Sequence, residues 1–494
     1  MSNFLYIIPN QKKAGIFVCL FLFLIIGARA QQWVFDKNSQ EAYDLVLNLQ
    51  LDEARQLLPE PRTAQDHYVL SLADALELLI TEDAEKFTEY EDHFQSRLDK
   101  KIKSSDADYQ FLQAELRLQW AFVYLKYGHE FDAALNLRQA YQIAETCKDK
   151  TPKYLAIKKT TALLEIIVGS VPEKYNWVLG LLGMQGAIQV GLSDFESVRH
   201  SSSPVNFEAD LLYALVQGFI FQNTDSAVVE LKKLQAARPN NRLALFLGAS
   251  LAIKNSQSED ALKMLTTLES SHSGLPLYYA DYLRGEVYLH KADYLNAISA
   301  YRWFIGHYKG QNYIKDATYK IGLCYWLNGN VNDAHDVFED ARNKGKEASE
   351  ADKHAARSMA EAELPNVKLS KTRFFTDGGY YAEAQQQLES ISPADIPTKR
   401  DQVEFYYRKA RLAHKTSQLP AAKMFYQQTI DMAGEEHWYF APNACLQMGY
   451  ILLAEKDHGN AENYFEKALR YKRHEYKNSI DSKAKSALAQ MKRK

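Results

Sequence analysis

Four cysteines and thirteen histidines are the groups in this chain best suited to nucleophilic or metal chemistry, and their spacing argues against both. A zinc site draws on Cys and His only a few residues apart. Cys19, Cys147, Cys324 and Cys445 are far from one another, and no two histidines stand four apart on one helical stretch. Glu435-Glu436-His437 lacks the second histidine of an H-E-x-x-H zinc helix. There is no G-x-S-x-G elbow, no phosphate loop and no Cys-x-x-Cys. The sequence therefore predicts no enzyme, no metal and no cofactor. Cys147, Cys324 and Cys445 are expected to be small buried apolar residues, the usual state of a free cysteine.

Recognition is what remains, and the composition says what kind of body must carry it. Hydrophobic residues make up 46% and charged residues 24% of 494, the balance of a folded protein. With 59 Lys+Arg against 62 Asp+Glu, no basic excess points to nucleic acid. Only 13 Pro and 22 Gly punctuate the chain, too few for an all-β protein that turns every few residues. Residues 1–30 read as a signal peptide rather than as fold. Lys12 and Lys13 precede the apolar run Ala14–Gly27, and Ala28-Arg29-Ala30 supplies an A-x-A cleavage site. The run is shorter than the roughly 20 apolar residues of a spanning helix. Cleavage after Ala30 removes Lys12, Lys13 and Arg29, leaving 56 cations against 62 acids, a charge of -6. The expected address is the bacterial periplasm or cell envelope, with no transmembrane segment in the mature chain.

The elements that must position any binding residue follow from an internal repeat. Small residues recur at the eighth and twentieth positions of successive segments, and a bulky residue follows the second of them by four. From Tyr278 these are Gly285, Ala297 and Tyr301; from Lys315, Gly322, Ala334 and Phe338. From Val403 they are Ala410, Ala422 and Tyr426, and from Pro442, Gly449, Ala461 and Phe465. This is the spacing of the tetratricopeptide repeat (TPR), a helix–turn–helix of 34 residues. Small residues let paired helices approach, and the ring four residues on lies on the same face. Weaker copies start at Ala114, Asn241 and Pro365, and Asp52–Leu58 reads as an isolated second helix. Gly329-Asn330, Gly378-Gly379 and Gly459-Asn460 read as the joining turns, with Pro420 in the first turn of its helix. The long step between Lys315 and Pro365 leaves room for one extra helix over 346–363. Between Gly169 and Ser203 the pattern lapses around Pro172, the apolar Tyr175–Leu182 stretch, and Gly180, Gly183 and Gly186, which suit a close helix crossing.

The predicted architecture is an all-α, TPR-like α-solenoid of stacked antiparallel helix pairs in a right-handed superhelix. It divides into the signal peptide (1–30), diverged helical repeats (31–200), TPR repeats (204–345), and TPR repeats with an extra helix and a capping helix (346–494). The two halves are expected to share one core, since repeats bury their apolar faces only by stacking.

Asp52-Glu53-Ala54-Arg55-Gln56-Leu57-Leu58, Val171-Pro172, Trp177 through Gly186, Tyr439 through Ala444, and Asn478-Ser479-Ile480 with Lys483-Ala484-Lys485 form a further pattern. Together, over about Asp52 to Leu488, they resemble the tetratricopeptide repeat protein 39 and inclusion-body-clearance family and its bacterial envelope relatives. The resemblance implies a solenoid that binds other proteins without enzymatic activity, and it brings no catalytic residues. The signal peptide departs from the cytosol-facing members.

In a curved array the first helix of each pair lines the concave wall. Its second, fifth, ninth and twelfth positions place Tyr282, Glu286, Tyr319, Trp326, Tyr407, Arg411, Asn443 and Tyr450 toward a groove. Tyr, Trp and Arg dominate protein-binding hot spots. The set lacks the concentrated Lys/Asn pattern that grips a peptide carboxylate, so a hydrophobic or helical peptide is the expected ligand. The function expected is a non-catalytic scaffold binding a partner protein or peptide, with no nucleic acid. The alternative is a glycan- or nutrient-binding part of an outer-membrane uptake system, its aromatics stacking on sugar rings. The basic end, Lys472 to Lys494, reads as a solubilising cap, with an anionic membrane surface as the other reading.

Overall fold

Apolar residues three and four apart, interrupted by short turns, leave each segment one apolar stripe that only a neighbouring helix can cover. In the computed structural model, which describes residues 32–171, 183–271, 273–361 and 364–492, these segments are helices packed in consecutive pairs. No strand occurs among the described residues. The expected signal peptide and the Tyr175–Leu182 stretch lie outside them. The first helices are α1 (Lys37–Leu47), α2 (Leu51–Leu57), α3 (Ala64–Thr81), α4 (Ala84–Asp99), α5 (Asp106–Lys126), α6 (Glu130–Lys150), α7 (Leu155–Gly169) and α8 (Ile188–Arg199). Next come α9 (Asn206–Leu215), α10 (Thr224–Ala237), α11 (Arg242–Lys254), α12 (Ser258–Ser270), α13 (Tyr278–His290), α14 (Tyr294–His307), α15 (Ile314–Leu327) and α16 (Val331–Asn343). The last are α17 (Glu350–Ala360), α18 (Val367–Gly378), α19 (Tyr381–Glu389), α20 (Lys399–Lys415), α21 (Leu419–Ala433), α22 (Phe440–Ala454), α23 (His458–Arg470) and α24 (Lys477–Lys492). The fold is an all-α, TPR-like solenoid.

The repeat signature has a direct geometric cause. A Cβ on Gly285 would meet the Tyr301 ring at 2.5 Å, one on Gly322 the Phe338 ring at 2.6 Å, and one on Gly449 the Phe465 ring at 2.5 Å. The second helix of each pair seats its ring in the notch left by the glycine of the first. Ala297, Ala334, Ala422 and Ala461, the small residues of the second helices, are completely buried. The turns between the two helices put one residue in the left-handed region: Ser256, Ala292, Gly329, Gly379, Ser417 and Lys456. Glycine takes that conformation without penalty at Gly329 and Gly379. Elsewhere hydrogen bonds across the turn hold it, as where Asp457 N donates to Leu452 O at 2.9 Å. Gly459-Asn460, read as a turn, instead begins α23, capped by the Asp457 side chain.

The extra helix expected over 346–363 is α17, and its N-terminal Asp352 does two jobs. It closes a capping box with Ser349 and accepts from Tyr313 N at 2.9 Å and Asp316 N at 3.0 Å at the start of α15. Of the glycines expected at a close crossing, Gly186 packs on the end of α7, its Cβ position against Gly169 N. No atom lies within 4 Å of the Gly183 Cβ position, and Gly180 lies outside the described residues. Gly191 on α8, which the sequence reading did not single out, meets Ala162 O on α7 at 2.7 Å, Cβ position to oxygen.

One apolar core runs from Trp33 to Phe374, a second spans Val403 to Ala487, and Ala384, Leu388 and Leu412 form a small third one. A buried ion cluster pins the first part. Lys159 on α7 donates to Glu115 at 2.9 Å, Glu208 at 2.5 Å and the Tyr68 hydroxyl at 2.9 Å. Tyr43 donates to Glu208 at 2.8 Å and Thr160 to Glu115 at 2.5 Å, so α1, α3, α5, α7 and α9 meet on one ammonium. The coil is tight enough that distant segments touch. Leu275 N donates to Leu49 O at 2.7 Å, Asn312 Nδ2 to Glu82 Oε1 at 2.8 Å, and Tyr476 OH meets His354 Nε2 at 2.8 Å.

Gly322→Leu is expected to force the Phe338 ring out of its notch and cost about 1–3 kcal/mol in denaturant unfolding. An unchanged midpoint would show that the notch is not tight. Lys159→Ala leaves two glutamates buried without their cation, and a loss of about 3–5 kcal/mol is expected. Adding Glu115→Gln and Glu208→Gln should recover part of it.

Candidate functional site

The first helices α11, α13, α15, α18, α20 and α22 line the inner wall of the coil, and the tightness of the coil sorts that wall into two zones. In the first, over α13 and α15, the side chains bind one another. Tyr282 OH donates to Asp316 at 2.6 Å, while Lys320 Nζ reaches Asp316 at 2.8 Å, Glu286 at 2.7 Å and the Tyr282 hydroxyl at 2.9 Å. Tyr301 donates to Glu286. Burial alone would raise the Glu286 carboxyl, but Lys320 and His290 hold it below the usual range. Asp316 goes the other way: burial, with Glu286 beside it, raises it despite Lys320. This zone is a closed polar network in which one ammonium and two tyrosine hydroxyls serve two carboxylates.

The expected groove residues distribute accordingly. Tyr282, Tyr319 and Tyr407 are buried instead of facing an open groove. Tyr319 packs on Phe338, with ring centroids 5.5 Å apart, and Tyr407 takes a hydrogen bond from Asn443 Nδ2 at 2.9 Å. Glu286, Trp326, Arg411, Asn443 and Tyr450 are half-buried. Trp326 Nε1 donates to Pro365 O at 2.9 Å, and Tyr450 packs edge-on to Phe465. The α17–α18 segment covers Tyr319 and Trp326, while Tyr407, Asn443 and Tyr450 are covered by the hairpins they belong to and their neighbours, through Tyr426, Tyr439, Phe440 and Phe465. Of the eight, Arg411 alone belongs to the second zone.

That second zone lies where the C-terminal ends of α11, α18 and α20 converge and α24 crosses toward them. Lys254 ends α11, Arg411 and Lys415 stand one turn apart on α20, and Lys483 comes from α24. The turns of α11–α12 and α18–α19 abut at Ser256 and Gly379, and Tyr380 OH donates to Glu259 at 2.9 Å. Lys254 is exposed along its stem while its ammonium packs against Gly218 O and the Phe219 ring, and Arg411, Lys415 and Lys483 are half-buried. Burial and mutual repulsion depress the lysines. Lys254 falls to about 8 through burial and Lys483, and Lys415 and Lys483 fall through burial and Arg411. One histidine reports the same positive surroundings: burial with Arg411 and Lys415 lowers His414 to about 4. The acids in this zone are Asp225, which acts on Lys415, and Asp377, 3.5 Å from Arg373 on the same helix and with over a third of its side chain open. Among the described residues, neither Lys415 nor Lys483 forms a hydrogen bond or an ion pair.

The sequence reading expected no concentrated cation set, and here the structure differs. It joins residues as distant as Lys254 and Lys483, which no local spacing connects. One signal was legible: Arg373 and Arg411 occupy the same ninth position of successive first helices. A further cleft of about 690 Å³ lies between α1 and the 238–241 segment. Its amides are spent on the fold, Asn241 Nδ2 donating to Leu47 O at 3.0 Å and Asn48 Oδ1 accepting from Arg242 N at 3.0 Å. No group of three His, Cys, Asp or Glu among the described residues is placed to hold a metal ion. Cys147, Cys324 and Cys445 are free and buried.

Comparison with known proteins places the repeat in a family. The tetratricopeptide repeat family matches residues 442–475, the segment that opens at Pro442. No curated protein matches the chain. Among solved structures, a human IFIT1 dimer with PPP-AAAA is 14% identical, over 88% of this chain and 95% of that one, at a TM-score of 0.32. A human IFIT1 dimer with m7Gppp-AAAA is 14% identical over the same shares, at 0.34. TM-scores in this range bring nothing about ligands to this chain.

One contact beside the inner wall makes stability depend on pH. Glu475, in the segment between α23 and α24, is hydrogen-bonded to Glu361 through the proton that Glu475 retains. Burial and the Glu361 carboxylate raise Glu475 to about 7, against the pull of Arg400. The folded chain keeps this proton up to about pH 7, while the unfolded chain releases it near the ordinary glutamate value. Stability contributed here is therefore lost as pH rises between those values. Glu475→Gln is expected to raise the melting temperature at pH 8 and to leave it unchanged at pH 4. A gain of equal size at both would refute the retained proton.

Proposed function

We propose that this chain is a non-catalytic protein-interaction scaffold, exported to the bacterial periplasm or cell envelope, that holds a segment of a partner protein against the inner wall of its solenoid. The TPR repeat supports the coarser part, because stacked helical hairpins present an extended curved surface whose residues come from many repeats. The observation that carries the choice of face is the second zone, where solvent reaches four cations that two carboxylates, Asp377 and Asp225, match only in part. Unmatched charge at the edge of a packed core costs folding energy, so a face that keeps it is suited to a ligand that completes it. The leader Lys12 to Ala30 supports export, and no described helix is long and apolar enough to cross a membrane. The motif pattern from Asp52 to Leu488 supports kinship with the tetratricopeptide repeat protein 39 and inclusion-body-clearance group, whose members bind proteins.

The glycan-binding alternative receives less support. Stacking on a sugar needs an open aromatic face, and Tyr282, Tyr319 and Tyr407 are buried within the wall.

Crosslinking in intact cells with a photoreactive residue at position 415, followed by fractionation and mass spectrometry, tests both parts. The expected result is one specific protein partner recovered from the envelope fraction, and its loss in Arg411→Glu. Recovery in the cytosol would refute the address. Failure to recover a specific protein at position 415, or a yield unmoved by Arg411→Glu, would refute the scaffold reading.

A further inference from the structure

We propose that Lys254, Arg411, Lys415 and Lys483 form a receptor for the carboxylate side chains of an acidic, extended segment of a partner protein, with Phe219 as its apolar contact. This rests on the scaffold reading above and names the chemistry of the partner.

The four cations arrive from three separate helices, and the coil itself assembles them. α11 and α20 contribute from the inner wall, while α24, the terminal cap, crosses toward them with Lys483. A cap whose sole task was to shield the last hairpin could turn this lysine to bulk solvent. Its Ile480, Ala484 and Ala487 are buried in the second core, which fixes the helix so that Lys483 lies within electrostatic reach of both Lys254 and Arg411. Like charges held together in this way repel, and the acids that reach them are Asp377, shared with Arg373, and Asp225, which accepts from Asn255 Nδ2 at 2.9 Å: two carboxylates against the four cations and Arg373. Carboxylates from outside would relieve this repulsion.

A second feature shapes the site independently of charge. α9 ends in a π-helical turn, Val216–Ile220, of the kind that recurs at functional positions. The Lys254 ammonium donates to Gly218 O at 2.8 Å and lies 4.6 Å from the centre of the Phe219 ring. That ring is 45% exposed, an apolar surface beside a positioned cation. A segment carrying acids next to a hydrophobic residue matches both.

The pattern favours a protein segment over a nucleic acid. A phosphate backbone is tracked by a long basic groove with open aromatic platforms for its bases. Here the cations are few, Asp377 stands among them, and the aromatics of the adjoining wall are buried. With a net charge of -3, the chain has no overall field to gather a polyanion.

The test is fluorescence anisotropy on the purified full chain. The probe is a fluorescein-labelled, C-terminally amidated peptide of alternating Glu and Ser with one central Phe. Saturable binding is expected, weakened roughly tenfold by Lys483→Gln and again by Lys254→Gln, a tenfold step being 1.4 kcal/mol. Phe219→Ser should weaken it less. Thermal melts of each variant identify any that fails to fold, and charge reversal of the probe (Lys for Glu) should abolish binding. Equal affinity for the Glu peptide in the wild type and in Lys483→Gln/Lys254→Gln would overturn the proposal. So would tighter binding of a single-stranded RNA of the same length, lost in the same variants. If the position-415 crosslink captures a protein while the Glu peptide fails to bind, the acidic-segment assignment falls and the scaffold reading stands.

Discussion

A ring seated where a side chain is missing sets the geometry of this molecule. At Gly285, Gly322 and Gly449 the first helix of a pair has no Cβ, and the ring of Tyr301, Phe338 or Phe465 occupies the vacated space. The two helix axes can then approach more closely than larger residues would allow, and the ring packs on an aromatic of the same pair, Tyr282, Tyr319 or Tyr450. Because the notch repeats, so does the offset from pair to pair. A constant small offset accumulates into a coil. Its tightness brings α1 and α2 onto the 241–275 region and α17 onto the segment leading into α24.

That tightness also determines the chemistry of the inner wall. Over α13 and α15, covering segments exclude water, and the polar side chains there persist because they bind one another: Lys320 answers Asp316 and Glu286, and two tyrosine hydroxyls complete the set. The same logic holds at Lys159, where burial is complete and two glutamates share one ammonium. Near the C-terminal ends of α11 and α20 the cover is incomplete, solvent remains, and Lys415 and Lys483 form no hydrogen bond or ion pair among the described residues. The contrast between satisfied and unsatisfied charge within one wall separates structural polarity from a surface available for binding.

Much of the architecture was legible in local spacing. The eighth, twentieth and twenty-fourth positions placed Gly322, Ala334 and Phe338 correctly, since a helical period relates them to one face. Pro420 and Gly329 marked the helix start and turn they occupy. Gly459-Asn460 misled because the left-handed residue of that turn is Lys456, held by hydrogen bonds to the preceding helix rather than by glycine's freedom. The groove residues were assigned by assuming an open coil. Tyr282, Tyr319 and Tyr407 do lie on the inner face, but α17 covers Tyr319, and rings of its own hairpin and the next cover Tyr407.

Helix, hairpin and repeat follow from the amino-acid order alone, because the contacts that create them join residues within about one repeat. How tightly the hairpins wind is a different matter, since pitch sums small offsets over the whole array and shows in no single segment. Pairing of Glu361 with Glu475 and the meeting of Lys254 with Lys483 both depend on that sum. Only the folded coil could decide which polar residues met partners and which cations were left facing water.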